Sequence, residues 1–149
     1  MNSIFEKAGN EAMISRLNRL TPISQAQWGK MNAAQMLSHC QAPIDVAFGN
    51  LKLKPNFLIA LLGKMFKNKI LNAAEFKKNS PTAPEFIRKE AVDFEQSKKE
   101  LIQKVMLFSE LGEKAIKSNR HPFFGEMTFE DWDRLQYMHL DHHLRQFGV

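Results

Sequence analysis

A single cysteine, Cys40, stands in a chain of 149 residues. That excludes an internal disulfide framework and fits a reducing cytoplasm. Long apolar runs are missing as well. The longest, Phe57 to Leu62, stops at Gly63, far short of the roughly 20 residues that span a bilayer. The N-terminal MNSIFEKAGNEAM carries Glu6 and Glu11 and no long apolar core, so it does not read as a signal peptide. There is no Gly-rich phosphate loop, no internal repeat and no alternating strand run. These absences argue against P-loop enzymes, solenoids and β-sandwiches. The expectation is a soluble cytoplasmic protein with no membrane partner.

What is present is ordinary in amount and uneven in placement. Apolar residues make up 44% and charged residues 25%, the usual proportions of a soluble globular protein. The length fits one domain, residues 1–149, with a real core. The net charge of +5 is concentrated: Asn50 to Ser80 holds seven lysines and one glutamate, whereas His121 to Val149 holds five acids and two arginines. The basic stretch lacks interleaved aromatics and arginines at a motif spacing, so no nucleic acid is expected. Lys64, Lys67 and Lys69 are read as a solvated face rather than a docking surface.

Helical periodicity runs through nearly the whole chain. Ser3 to Leu20 reads as a first amphipathic helix, ended by Thr21-Pro22. A linker with Trp28 and Gly29 leads to a second helix, Met31 to about Phe48, whose Asn32, Gln35, Met36, His39 and Val46 share a face. Pro43 lies four residues after His39, so a kink or a freed His39 carbonyl is expected there. A third helix is read from about Pro55 to Lys67, then an extended loop from Ala73 to Pro84 able to roof a pocket. The longest pattern runs from Glu85 to about Ser118 and breaks at Asn119-Arg120-His121-Pro122. Thr128 then caps a last helix reaching Phe147, with Asp131 completing a capping box. The fold class is all-α, a four-helix bundle with short extra helices and loops.

Four of the five histidines fall in the last 29 residues, and the fifth is His39. At about 100° per residue, Trp132, Leu135, Gln136, His139, His143, Gln146 and Phe147 form one stripe, with Asp131, Arg134, Asp141 and Arg145 opposite. His139 and His143 are one turn apart at its centre. Imidazoles at i and i+4 converge on a single divalent ion. Burying both without a shared ligand leaves ring nitrogens in need of partners. Two ordinary core histidines are the competing explanation. Facing helices pack about 8–10 Å apart, so His39 can complete a three-histidine site for Zn²⁺, Ni²⁺ or another first-row ion.

The other chemistry-bearing residues are read more plainly. Cys40 lies about 100° round the helix from His39 and suits packing better than ligation. His142, at the stripe edge, is a proton shuttle or, as favoured here, a surface histidine. His121 either enters a pocket mouth or acts as a cation at a helix terminus. Trp28 and Trp132 are read as core anchors.

Two blocks, WGKMNAAQMLSHC around His39 and HPFFGEMTFEDWDRLQYMHLDHHLRQFG at the C-terminus, resemble the DinB/YfiT-like superfamily, in a branch of uncharacterised members. The order and spacing of the intervening helices also fit. The resemblance implies a four-helix bundle holding a divalent metal through one histidine of the second helix and two of the last. Carried onto this chain, these are His39, His139 and His143. It also implies relatives that are thiol-dependent transferases or isomerases using low-molecular-weight thiols, others that resemble hydrolases and many without a known activity, and a family that is often dimeric, so a small-molecule substrate and a homodimer are expected. The functional expectation is a metal-dependent S-transferase or hydrolase. A non-catalytic metal- or small-ligand-binding protein is the alternative, favoured if Gln35 or Cys40 closes the coordination sphere. An interaction module docking a partner through the basic middle segment is the third reading.

Overall fold

Four helices begin where a side-chain oxygen accepts a first-turn backbone N–H, at Asn32, Asn56, Asp93 and Thr128. The computed structural model describes residues 2–149. In chain order the helices are α1 (Lys7–Arg19), α2 (Ala33–Ala47), α3 (Phe57–Leu71), α4 (Phe94–Leu111) and α5 (Phe129–Gln146). Short 3₁₀ turns occupy Pro84–Phe86 and Gly112–Ala115. A two-residue ladder pairs β1 (Arg120–His121) with β2 (Gly125–Glu126) in antiparallel register. Apart from that ladder the fold is all-α. Among the described residues no helix is long and apolar enough to cross a membrane.

α2 packs against both α4 and α5, and α1 closes against the same two helices. Met13, Leu17, Met36, Leu101, Phe108 and Leu144 meet in the main core. Cys40 belongs to it, with Sγ 3.7 Å from Met36 Sδ, as a packing residue. A smaller cluster around Val46, Leu53, Leu71, Trp132 and Leu135 lies where α3 and the ladder cover α5. α5 is therefore buried on more than its histidine stripe, and Asp133, Met138, Leu140 and Leu144 are interior as well.

The helix boundaries differ from the periodic reading in two informative places. Residues 3–6 are not helical: Ser3 Oγ accepts the Phe5 and Glu6 N–H groups, and the Ile4 N–H donates to Asp133 Oδ1 at 2.8 Å. This turn fits because residue 9 is glycine; a Cβ there would lie 1.9 Å from the Ser3 carbonyl oxygen. The pattern from Glu85 to Ser118 is likewise not one helix. α4 starts at Phe94, after Asp93 Oδ1 takes the Gln96 N–H at 2.6 Å, and ends at Gly112 with φ +56°. The chain from Ile87 to Asp93 instead crosses α2, pinned where Arg88 Nε donates to Ser38 Oγ at 3.0 Å.

Two further features bear on the helices that carry the site. The Thr128–Asp131 capping box of α5 is present in both directions. α2 continues through Pro43, and the Pro43 carbonyl accepts from Gln136 Nε2 at 3.1 Å, tying α2 to α5.

Candidate functional site

The site is built from two helices and one crossing strand of chain. α2 carries His39 and α5 carries His139 and His143; the 3₁₀ turn at Pro84–Phe86 comes over the top. The Nε2 atoms converge: His39 Nε2 lies 3.1 Å from His143 Nε2 and 3.2 Å from His139 Nε2. All three lie within 4.8 Å of one another. His39 and His143 are buried and His139 is half-buried. The three histidines singled out by sequence are thus together, with their ring nitrogens facing one point.

The outer ring nitrogens fix the protons. His39 Nδ1 is 2.7 Å from the Phe86 carbonyl oxygen. A carbonyl only accepts, so Nδ1 carries the hydrogen and Nε2 presents a lone pair. His143 Nδ1 is 2.7 Å from Gln146 Oε1. The Gln146 amide is oriented by its Nε2 donating to the Trp28 carbonyl at 2.7 Å, so His143 Nδ1 also donates and its Nε2 also presents a lone pair. His139 Nδ1 is buried without a partner, as is Gln136 Oε1 one turn earlier on the same stripe. Unpaired buried polar atoms are uncommon enough to mark a site.

Electrostatics keep these rings neutral. Burial drives His139 well below the ordinary histidine range, and the nearby His143 and His39 rings add to this. Burial followed by His39 lowers His143 to about 3. Burial lowers His39, opposed by the Phe86 hydrogen bond and reinforced by the Arg88 charge. Neutral imidazole is the form that ligates a metal.

The remaining candidates fall around this centre rather than in it. Gln35 is spent on the α2 capping box with Asn32 and on the Glu90 carbonyl at 3.1 Å. Cys40 points into the core, where burial pushes its thiol up. His142 is half-buried rather than a plain surface group, its ring centroid 5.1 Å from that of His143 and 5.5 Å from that of Trp28. Trp132 is a core anchor at 1% exposure, with Nε1 donating to the Ser118 carbonyl. Trp28 is not: it is half-buried, with Lys78 Nζ 4.4 Å from its ring centroid. His121 is no helix-terminal cation. Its Nδ1 accepts the Phe123 and Phe124 N–H groups at 3.0 and 3.3 Å, and burial lowers its pKa to about 4.

Sequence reasoning missed Phe86, Phe76 and Gln146. Phe86 acts through a backbone carbonyl, which no side-chain pattern reveals. The Phe76 ring sits 6.4 Å from His139 and 6.0 Å from His142, in the loop expected to roof a pocket. Gln146 had a readable signal, three residues beyond His143 on the same stripe, where an amide can reach the outer ring nitrogen.

Fold and cluster together define a helical protein that gathers three neutral histidines, their Nε2 atoms convergent, between two of its helices. The chain belongs to the family described as a protein of unknown function (DUF1569), whose model matches residues 4–148. No curated protein and no solved structure matches it.

Proposed function

We propose that this chain is a DinB/YfiT-like four-helix bundle that holds one divalent transition ion, Zn²⁺ or Ni²⁺, through Nε2 of His39, His139 and His143. We propose further that it is a metal-dependent enzyme for a small molecule, an S-transferase using a low-molecular-weight thiol or a hydrolase. One observation carries the metal reading. His39 and His143 both have their hydrogen committed at Nδ1, to Phe86 and Gln146, and yet their Nε2 atoms stand 3.1 Å apart. Two lone pairs at that distance repel, and burial opposes adding a proton between them. A cation answers both.

The spacing supports the same reading. Nitrogens about 2.0–2.1 Å from a tetrahedral zinc are about 3.3 Å from each other, and two of the three separations here are 3.1 and 3.2 Å. The Phe86 carbonyl and the Gln146 amide orient the ligating rings, as outer partners do in metal sites. When bound, the ion supplies Lewis acidity that lowers the pKa of a water or thiol joining it. The chain's own part is to present three lone pairs and hold the Nδ1 hydrogens of His39 and His143 outward. The Phe76 ring beside His139 and His142 keeps that side of the cluster apolar. With Gln35 and Cys40 engaged elsewhere, neither closes the coordination sphere; this favours an enzyme over a saturated, non-catalytic metal carrier.

Elemental analysis of purified, untagged protein tests the reading beside the His139→Ala, His143→Ala double variant. About one equivalent of a transition metal is expected in the parent and none in the variant. Parent protein that is metal-free and cannot be loaded with Zn²⁺ or Ni²⁺ sinks it. Thiol-transfer and ester- or amide-hydrolysis assays on loaded protein then separate the two reaction classes.

A further inference from the structure

α3 turns its greasy side outward. Phe57 is 82% exposed, Met65 67% and Leu58 62%, and Ile59, Leu61, Leu62 and Phe66 are each above 40%. At about 100° per residue these seven side chains fall within an arc of about 200°. The opposite side of the helix is the one the fold uses. Leu71 is buried there, Lys67 pairs with Asp131 at 2.6 Å, and Gly63 lies so close to the Phe123 carbonyl that a Cβ would sit 2.1 Å from its oxygen. The helix is therefore held in one orientation by its inner face, and its outer face has nothing against it among the described residues. Contiguous apolar surface of this size marks an interaction site.

We propose that this face of α3 is an interface with a second copy of the chain. Three features favour that occupant. First, the seven side chains expose on the order of 800 Å², taking about 200 Å² for a large side chain, similar to the about 800 Å² per partner of a standard stable interface. Second, Leu58, Leu62 and Met65 are spaced by four and three, the stripe of a helix that pairs with another helix. An antiparallel two-fold arrangement sets Leu62 opposite Met65 of the second copy, so the stripe complements itself. Third, no charge interrupts the apolar stripe between Phe57 and Phe66; Lys69 shares its azimuth but lies beyond it along the helix. Lys64 lies at the edge of the arc, and Lys69 lies at the C-terminal end, where it already stands 6.0 Å from the Phe66 ring centroid. In the antiparallel pair Lys69 meets the Phe57–Leu58 end of the other helix, an aromatic and apolar stem contact, rather than another lysine.

The rival occupant is an anionic bilayer, because Val46 to Ala74 contains five lysines and no acid. One pair of measurements decides. Sedimentation velocity of the full, untagged chain is run across the micromolar range, beside Leu62→Asp/Met65→Asp and a control, Ile23→Asp, whose apolar side chain is 82% exposed but lies off α3. The parent and the control are expected to run as dimers. The α3 variant is expected to dissociate at least about 100-fold more readily, with an unchanged helical circular-dichroism signal. Flotation with phosphatidylglycerol–phosphatidylcholine vesicles is the second measurement. A monomeric parent overturns the proposal, and if that monomer floats with the vesicles the face belongs to lipid. A variant as dimeric as the parent overturns it equally, by placing the interface elsewhere.

Discussion

Gln146 Oε1 lies 2.7 Å from His143 Nδ1, while the same amide's Nε2 donates to the Trp28 carbonyl at 2.7 Å. The linker before α2 thereby decides which nitrogen of a histidine on α5 carries its hydrogen. Replacing Gln146 by Leu removes the acceptor and frees the ring to turn and to change tautomer. Metal affinity is expected to fall about 10–100-fold, the usual cost of losing an outer partner. Gln146→Glu keeps an acceptor for Nδ1–H and is expected to retain most of the affinity. Competition against a chromogenic chelator measures both. Equal affinity in the parent and Gln146→Leu would remove the amide from the site.

The histidine triad was legible because each of its members sits in a regular helix. His139 and His143 follow from the spacing along α5, and His39 from its place on the inner face of α2; helical geometry carries both readings. What was not legible lies where chain departs from helix. The apolar repeat from Glu85 onward reads as helix, yet Ile87 to Asp93 is extended across α2. There the Phe86 carbonyl turns to His39 and Arg88 reaches Ser38. Local periodicity was overridden by a tertiary contact at the site, the place where local and global preferences are expected to disagree. α3 shows the converse. Its apolar pattern predicted a helix correctly, but the same pattern cannot say which side faces out.

His121 provides a pH-dependent contribution to stability independent of the triad. Its Nδ1 accepts two backbone N–H groups in the turn between β1 and β2, its ring packs on Phe124 and Trp132, and burial lowers its pKa from 6.5 to about 4. The folded state thus binds this proton more weakly than the unfolded state. The contribution is fully present above pH 6.5 and is lost progressively as pH falls towards about 4. The gap corresponds to about 3 kcal/mol. His121→Asn keeps an acceptor for the turn but cannot titrate. Urea denaturation at several pH values should therefore show the parent losing stability faster than the variant between pH 6.5 and 4. Parallel curves would mean that folding leaves the His121 pKa unchanged.

Asn10 ties three parts of the chain together at one atom. Its Nδ2 donates to the Ile4 carbonyl and to the Val105 carbonyl, each at 2.7 Å, and the residue is 2% exposed. Asn10→Ala strips the Ile4 and Val105 carbonyls of the amide donor, although Val105, inside α4, keeps its helical partner, so the expected loss is about 1–3 kcal/mol. Asn10→Asp should cost more, because it sets carboxylate oxygens against carbonyl oxygens in the same dry place. Thermal or chemical melts of the three proteins give the order. An aspartate variant as stable as the parent would show that water reaches this contact.

Gly63 tests how α3 is held. The helix passes the Phe123 carbonyl at a distance only glycine permits, since a Cβ would stand 2.1 Å from the oxygen and 2.7 Å from the carbon. Both atoms belong to backbone in the short turn between β1 and β2, which the His121 ring braces from the other side. The turn has little freedom to yield, so the helix must move. Gly63→Ala is expected to cost about 1–3 kcal/mol despite alanine's better helix propensity. The loss should be local. Hydrogen exchange should quicken in α3 and in Arg120–Glu126 while α1, α2 and α4 keep their protection. Lys67 and Asp131, paired across the same contact at 2.6 Å, should uncouple at the same time, so Lys67→Met should cost less in the Gly63→Ala background than in the parent. Additive effects of the two substitutions would mean that α3 stays docked despite the added methyl group.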